Sequence, residues 1–114
     1  MIRRLVELLA DASYYARRAA AYVESIELTE FVTDEMRQEA VCFCLVVVGE
    51  ACDGVAKELT PLPPHVPWPH IKAMRDILIH EYWQIHYVTV YNVARHEAST
   101  LADDLDEIRN QHQR

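Results

Sequence analysis

The sequence predicts an all-α fold, a bundle of four helices filling one domain over residues 1–114, and three observations lead there. Apolar residues recur at helical spacing along most of the chain. Only 2 glycines and 5 prolines are present, and all the prolines lie between Pro61 and Pro69, so the frequent turns of a sandwich or small barrel are missing. Hydrophobic residues make up 51% and charged residues 25%, enough apolar material for one core and too much for a disordered chain.

The first helix is expected from Ile2 to about Ile26, with Leu5, Leu9, Ala12, Ala16, Ala20 and Val23 as its buried stripe. Arg3, Arg4, Arg17 and Arg18 fall partly off that stripe and read as a solvated face. Glu27 to Val32 is a connection with room for one extra helical turn. Thr33 is the expected N-cap of the second helix, Asp34 to Leu59, with Asp34 and Glu35 well placed against its dipole. Its inner stripe is Ala40, Cys44, Val47, Val48, Ala51, Val55 and Leu59, and Phe43 and Leu45 widen it. Such a width exceeds what a single small bundle needs and points to self-association.

Thr60 to Pro69 stops the helix, because proline lacks the N–H and disfavours a helical residue before it. Pro69 suits the first position of a third helix running through Ile71, Met74, Leu78 and Ile79. The last helix is expected from Ile85 to Arg109 on the stripe Tyr87, Tyr91, Ala94, Ala98, Leu101, Leu105 and Ile108.

Several function classes are disfavoured at this level. A net charge of -7, from 18 acidic and 11 basic side chains, argues against broad nonspecific binding to duplex DNA, though not against a local basic site. Cys42, Cys44 and Cys52 lack a zinc-ligand spacing and read as buried, reduced thiols. The apolar start contains Glu7 and Asp11 and does not read as a signal peptide, and the longest uncharged run, Ala40 to Gly49, is about half a membrane span. The chain is therefore expected to be soluble and cytoplasmic, with no membrane contact and no metal or other cofactor.

The chemistry-bearing stretch is Met74-Arg75-Asp76-Ile77-Leu78-Ile79-His80-Glu81-Tyr82-Trp83. At ~100° per residue Asp76 and His80 share a face, within reach of a carboxylate–imidazole hydrogen bond. Arg75 and Tyr82 share a second face, and Arg75 and His80 stand ~140° apart on a straight helix. Only a long Arg side chain, unwinding near His80 or a second chain could make them converge. A zinc-protease reading fails, because His80-Glu81 lacks the second histidine of His-Glu-x-x-His. An ordinary bundle helix with an Asp–His surface pair also accounts for these residues. Trp68 and Trp83 read as packing anchors, and Tyr82 as a half-buried packing residue.

Arg75, four residues, His80, one residue and Tyr82 match the Arg-x-x-x-x-His-x-Tyr signature of HEPN-domain proteins. The chain resembles above all the HepT-like toxins of MntA–HepT toxin–antitoxin systems. Gly49-Glu50-Ala51, Val66-Pro67-Trp68 and Met74-Arg75 leading into Leu78-Ile79-His80 follow that family's layout, over roughly Leu5 to Ile108. The resemblance implies a HEPN-like bundle that forms a homodimer, with both motif copies facing a cleft. It implies metal-independent RNA cleavage with Arg75 and His80 as the catalytic pair and Asp76 in a supporting position. It also implies that a partner nucleotidyltransferase antitoxin, MntA-like, silences the toxin by attaching AMP to Tyr82. The chain departs from the common pattern at Asp76, where asparagine is frequent, and at Glu81, where glycine is frequent.

Those residue types suit the implied reaction. A metal-free ribonuclease needs a base for the 2′-hydroxyl proton, an acid for the leaving 5′-oxygen and positive charge on the phosphorane-like transition state. Histidine transfers protons near neutral pH, and arginine offers a permanently charged fork. One motif supplies one histidine; a two-fold dimer supplies two. The alternative is a non-catalytic HEPN subunit that presents nucleotide or substrate to a nucleotidyltransferase, and a third reading is a plain dimeric helical adaptor.

Overall fold

The computed structural model describes residues 2–113, with side chains from Arg4 onward; what was expected of the Arg3 side chain lies outside the described residues. Among them are six α-helices and no strand: α1 (Ile2–Val23), α2 (Leu28–Phe31), α3 (Glu35–Glu58), α4 (Trp68–His80), α5 (Tyr87–His96) and α6 (Ala98–His112). A single 3-10 turn, Tyr82–Gln84, follows α4. The fold is the expected all-α bundle, and no helix among the described residues is long and apolar enough to cross a membrane.

Three boundaries differ from expectation. Asp34, not Thr33, caps α3: its carboxylate accepts the Arg37 backbone N–H at 3.0 Å, while the Thr33 hydroxyl donates to Glu30 O at 3.2 Å. A charged acceptor is the better match for the partial positive charge of a helix start. The room left between Glu27 and Val32 is taken by α2, which buries Phe31. The last helix is interrupted at Glu97, with φ -121° and ψ -31°. The hydrogen-bond ladder survives the break, since Glu97 N–H still reaches Val93 O and Leu101 N–H still reaches Glu97 O. The inward stripe runs straight through it, from Tyr91 and Ala94 to Ala98, and then passes to Ala102 rather than Leu101.

α3 is the central element, packed between α1 on one side and α4 on the other. Its residues Ala51, Cys52 and Val55 join Leu5, Leu9 and Ala12 of α1 and Leu105 and Ile108 of α6 in one core cluster. Nearer its start, Val41, Cys44 and Leu45 join Val23, Phe31, Leu78, Val90 and Tyr91 in a second, and Tyr15 packs against both. Phe43, expected to widen the buried stripe, instead faces solvent and is 59% exposed. The cysteines are free, as expected, and burial pushes the thiols of Cys42 and Cys52 up to about 11 and about 12. They are therefore poor nucleophiles near neutral pH.

α3 carries both glycines of the chain in its interior, where each is ~1 kcal/mol less favourable than alanine. Their surroundings differ. A Cβ on Gly54 would meet Leu8 Cδ1 at 2.9 Å, the movable tip of a side chain. A Cβ on Gly49 would run into Arg75 Cβ and stand 2.6 Å from Arg75 Cγ and 3.5 Å from its Cα, atoms that move only if α4 moves. Gly54→Ala is accordingly expected to stay within about 1 kcal/mol of the parent protein in urea unfolding, because the gain in helix propensity offsets the shift of Leu8. Gly49→Ala is expected to cost about 1–3 kcal/mol by overpacking.

Candidate active site

The motif segment crosses three backbone states within eight residues. Arg75 and Asp76 lie in the body of α4, His80 is its last residue, and Tyr82 opens the 3-10 turn. Glu81, at φ -131° and ψ 42°, ends the helix; its N–H closes the last turn on Ile77 O at 3.0 Å, and its carbonyl accepts the Gln84 N–H at 2.7 Å. Arg75 and Tyr82 therefore do not share one continuous helical face, as seven-residue spacing suggested.

Arg75 is the best-fixed member. Its side chain is only 13% exposed, wedged between α4 and α3 where Gly49 leaves room for its stem. Asp76 Oδ1 accepts from Nε at 3.0 Å and lies 2.9 Å from Nη2. Across the interhelical groove Glu50 Oε1 accepts from Nη1 at 3.2 Å, and Asp53 Oδ2 stands 3.9 Å from the same nitrogen. Burial works against the charged guanidinium, but the surrounding carboxylates of Asp76, Glu50 and Asp53 together outweigh it and hold its pKa above the ordinary arginine value. The site thus contains a permanent, immobilised cation whose five N–H donors are only partly used.

Asp76 therefore serves Arg75. The hydrogen bond to His80 allowed by i,i+4 spacing is not formed, because the neighbouring guanidinium offers a charged partner in place of an imidazole. His80 is exposed at the end of α4 and makes no side-chain hydrogen bond among the described residues. Tyr82 and Trp83 are both 68% exposed, stacked edge to face at 5.4 Å. Neither is the packing residue that its type suggested. Trp68 is the anchor, part-buried with Nε1 donating to Pro63 O at 3.0 Å.

Glu50 and Asp53 were not assigned to the site from the sequence. They stand more than twenty positions from Arg75 on another helix, and spacing along one helix says nothing about a partner helix. A signal was nonetheless present: a glycine inside a long helix marks close backbone approach, and Glu50 follows it directly. Beside the motif, Met74, Ile77 and Leu78 of α4 face Ile85, Val90 and Val93 across an apolar groove of about 860 Å³. Ile77, Ile79 and Val88 near it are also partly exposed, so the end of α4 presents an apolar surface around an exposed histidine. Among the described residues no group of three or more His, Cys, Asp or Glu side chains could hold a metal ion. The carboxylates of Glu50, Asp53 and Asp76 are organised around Arg75 instead.

A family model described as "Ribonuclease HepT-like" matches residues 12–108. A protein of Methanocaldococcus jannaschii named "Putative RNase" is 30% identical over 93% of this chain and 88% of its own length. A "Putative RNase" of Caldanaerobacter subterraneus subsp. tengcongensis is 34% identical over 91% of this chain and 89% of its own length. A "Probable ribonuclease HepT" of Thermococcus cleftensis is 25% identical over 96% of this chain and 99% of its own length. No solved structure matches.

The electrostatics of the cluster can be tested on Asp53. Its carboxyl lies below the ordinary carboxylate range, first because Lys57 Nζ binds it at 3.1 Å, against the opposing effect of burial, and further because Arg75 and Lys72 lie near. Removing a neighbouring cation favours the neutral acid, so the titration midpoint of Asp53 is expected to rise in Lys57→Met and to rise by less in Arg75→Met. Carboxyl-carbon shifts followed by NMR through the acid range report both; an unmoved midpoint in Arg75→Met would place the guanidinium outside this cluster.

Proposed function

This chain belongs to the HepT-like family of ribonucleases, and we propose from that premise that it is a metal-independent RNA endonuclease acting as the toxin of a cytoplasmic toxin–antitoxin pair. The active site in this reading is built from Arg75 and His80 of two protomers, whose motifs face one homodimer cleft. One observation carries the reading: Arg75 is immobilised while His80, five residues on, is exposed at the helix end with its ring free of hydrogen bonds to described residues. A fixed cation suits transition-state charge, and an accessible imidazole suits proton transfer. The apolar surface around the end of α4 is what a second copy would cover.

In the cleft, the ribose 2′-oxygen attacks phosphorus, the 2′-O–P bond forms and the P–O5′ bond breaks. One imidazole accepts the 2′-hydroxyl proton and the other protonates the departing 5′-oxygen, leaving a 2′,3′-cyclic phosphate and a 5′-hydroxyl. Arg75 holds the non-bridging oxygens through its unused N–H groups, and Asp76 keeps the guanidinium plane in place. Tyr82 is the control point. A nucleotidyltransferase antitoxin transfers AMP from ATP to its exposed hydroxyl with loss of pyrophosphate, which places bulk and negative charge next to the phosphate path.

A second reading has one observation in its favour. Glu50, Asp53 and Asp76 already satisfy much of the Arg75 charge, which suits a subunit that binds nucleotide or substrate for a nucleotidyltransferase without cutting it. Cleavage assays separate the two. The wild type is expected to cut single-stranded RNA in EDTA and to leave 2′,3′-cyclic phosphate ends. His80→Ala should lower the rate by about 10²–10⁴, and Arg75→Ala by about 10²–10³. Equal rates in all three proteins, or cleavage only with added divalent metal, would remove this mechanism.

Control through Tyr82 has its own readout. Incubation with ATP and the cognate nucleotidyltransferase is expected to add the mass of AMP to the wild type and not to Tyr82→Phe, as read by intact-protein mass spectrometry. Equal addition to the Phe variant would show that another residue is the acceptor.

A further inference from the structure

On α1 the residues Tyr14, Arg18 and Tyr22 recur every fourth position, which stacks them along one face. The Arg18 guanidinium lies between the two rings, 5.6 Å from the Tyr14 centroid and 5.4 Å from the Tyr22 centroid. Nη2 donates to the Tyr22 hydroxyl oxygen at 2.7 Å and Nη1 to that of Tyr14 at 3.5 Å. Together with Phe43 and Cys44 of α3 they line a pocket of about 390 Å³. Tyr14 is 55% and Phe43 59% exposed, while Tyr15 packs edge-on against both and fixes their spacing.

What sets this arginine apart among the described cations is that aromatic rings, and not a carboxylate, orient its guanidinium. Arg17, Arg37, Lys57, Arg75 and Arg109 each sit within 4 Å of a carboxylate. Arg18 is held by two neutral phenol oxygens, and no carboxylate among the described residues pairs with it. In a chain of net charge -7 this is an oriented, uncompensated cation, with N–H donors to spare and exposed aromatic rings around it. Behind it the Cys44 thiol is kept neutral, since burial pushes its pKa up more than Arg18 pulls it down. A flat aromatic group carrying a phosphate satisfies every element of this arrangement at once: π-stacking for the rings, a charged fork for the anion.

We propose that this pocket binds a nucleotide unit, the base stacked against Tyr14 or Phe43 and the phosphate on Arg18. Its natural source is the RNA strand itself, so the proposal rests on the ribonuclease reading and extends it to strand positioning. Phe43 and Glu50 are seven residues apart on α3 and both exposed, hence on one face and ~10 Å apart along the axis. At ~3.4 Å per stacked nucleotide, roughly three nucleotides separate the pocket from the Arg75–Glu50 contact. A free mononucleotide presents the same chemistry and is the other source to be tested.

The experiment uses the full chain and a labelled 2′-O-methyl RNA strand of mixed sequence, which cannot be cut by 2′-hydroxyl attack, with binding read by fluorescence anisotropy. AMP and UMP are titrated in parallel. Phe43→Ala is expected to weaken RNA binding by about 5–150-fold, the range for one lost base stack, and Arg18→Gln by about 10–150-fold, the range for a lost hydrogen bond to a charged group, with helicity and sedimentation unchanged in both. Weakened mononucleotide binding in the same variants, with strand affinity intact, would support the pocket with a free nucleotide as its source. Affinities for both ligands that stay within about two-fold of wild type would overturn the proposal, as would a wild type that binds neither. A change of oligomeric state in either variant would also overturn it by making the rings a protein interface. Unmodified RNA cut by the wild type and both variants alike, with strand and mononucleotide affinities also unchanged, would sink the pocket and leave the ribonuclease reading standing. AMP bound through Arg18 by a chain that cuts no RNA would do the reverse.

Discussion

The close approach of α4 to α3 at Gly49 is the constraint on which the candidate site depends. The stem of Arg75 occupies the space where any other residue would carry its side chain. Because of that contact the guanidinium emerges between the two helices, level with Glu50 and within reach of Asp53, and cannot swing out to solvent as an arginine on an open helix face would. The conformational freedom that an exposed arginine would lose on gripping a phosphate has been lost already on folding. The helix-propensity cost of an interior glycine is the thermodynamic trace of this arrangement.

Immobility of the arginine and accessibility of the histidine come from where each falls on α4. Arg75 lies in the body of the helix, where backbone and neighbouring helix both restrain it. His80 lies on the final turn, where Glu81 leaves helical geometry and the chain passes into the 3-10 turn bearing Tyr82 and Trp83. Among the described residues the imidazole and the phenol at this end are both exposed and open to whatever approaches. A longer helix would have carried Tyr82 round onto the Arg75 face. The break instead gives the motif one restrained charge and two exposed, chemically versatile rings, drawn from eight consecutive residues.

What the sequence made legible follows from the physics of single helices. Apolar spacing located α1, α3 and α4 to within a few residues, and the proline cluster placed the long connection, since both signals act locally. The motif could be recognised because its members lie on one stretch of chain. Choices between competing partners were not legible. Asp76 could reach His80 by spacing but found Arg75 closer and charged. Arg17 and Arg18 looked equivalent as neighbours on a polar face. Arg17 binds Asp103 at 2.9 Å and Asp106 at 2.7 Å on α6, while Arg18 turns to tyrosines on its own helix. Asp103 and Asp106 of α6 are thus partners for α1. The break at Glu97 left no mark either, because the inward stripe continues through it and the backbone hydrogen bonds are kept.

The acidity of the chain, which at first sight argues against an RNA-handling protein, takes on a different meaning once each cation is placed. A net charge of -7 governs long-range attraction, and it disfavours indiscriminate binding of polyanions. Contacts at a few ångströms are governed by individual groups. Most cations with a described partner are held by carboxylates on the surface, where they add little to stability and offer little to a phosphate. Arg75 is different in that its carboxylates fix a plane without using all its donors. Nε and one N–H of Nη2 face Asp76, and Nη1 faces Glu50 with Asp53 3.9 Å away, so the second N–H of Nη2 is the donor left without a carboxylate among the described residues. In the function proposed above, a phosphate would approach that remaining donor without displacing the carboxylates. In that reading the negative surface would act as a filter, since a strand would gain only where a restrained guanidinium meets its backbone.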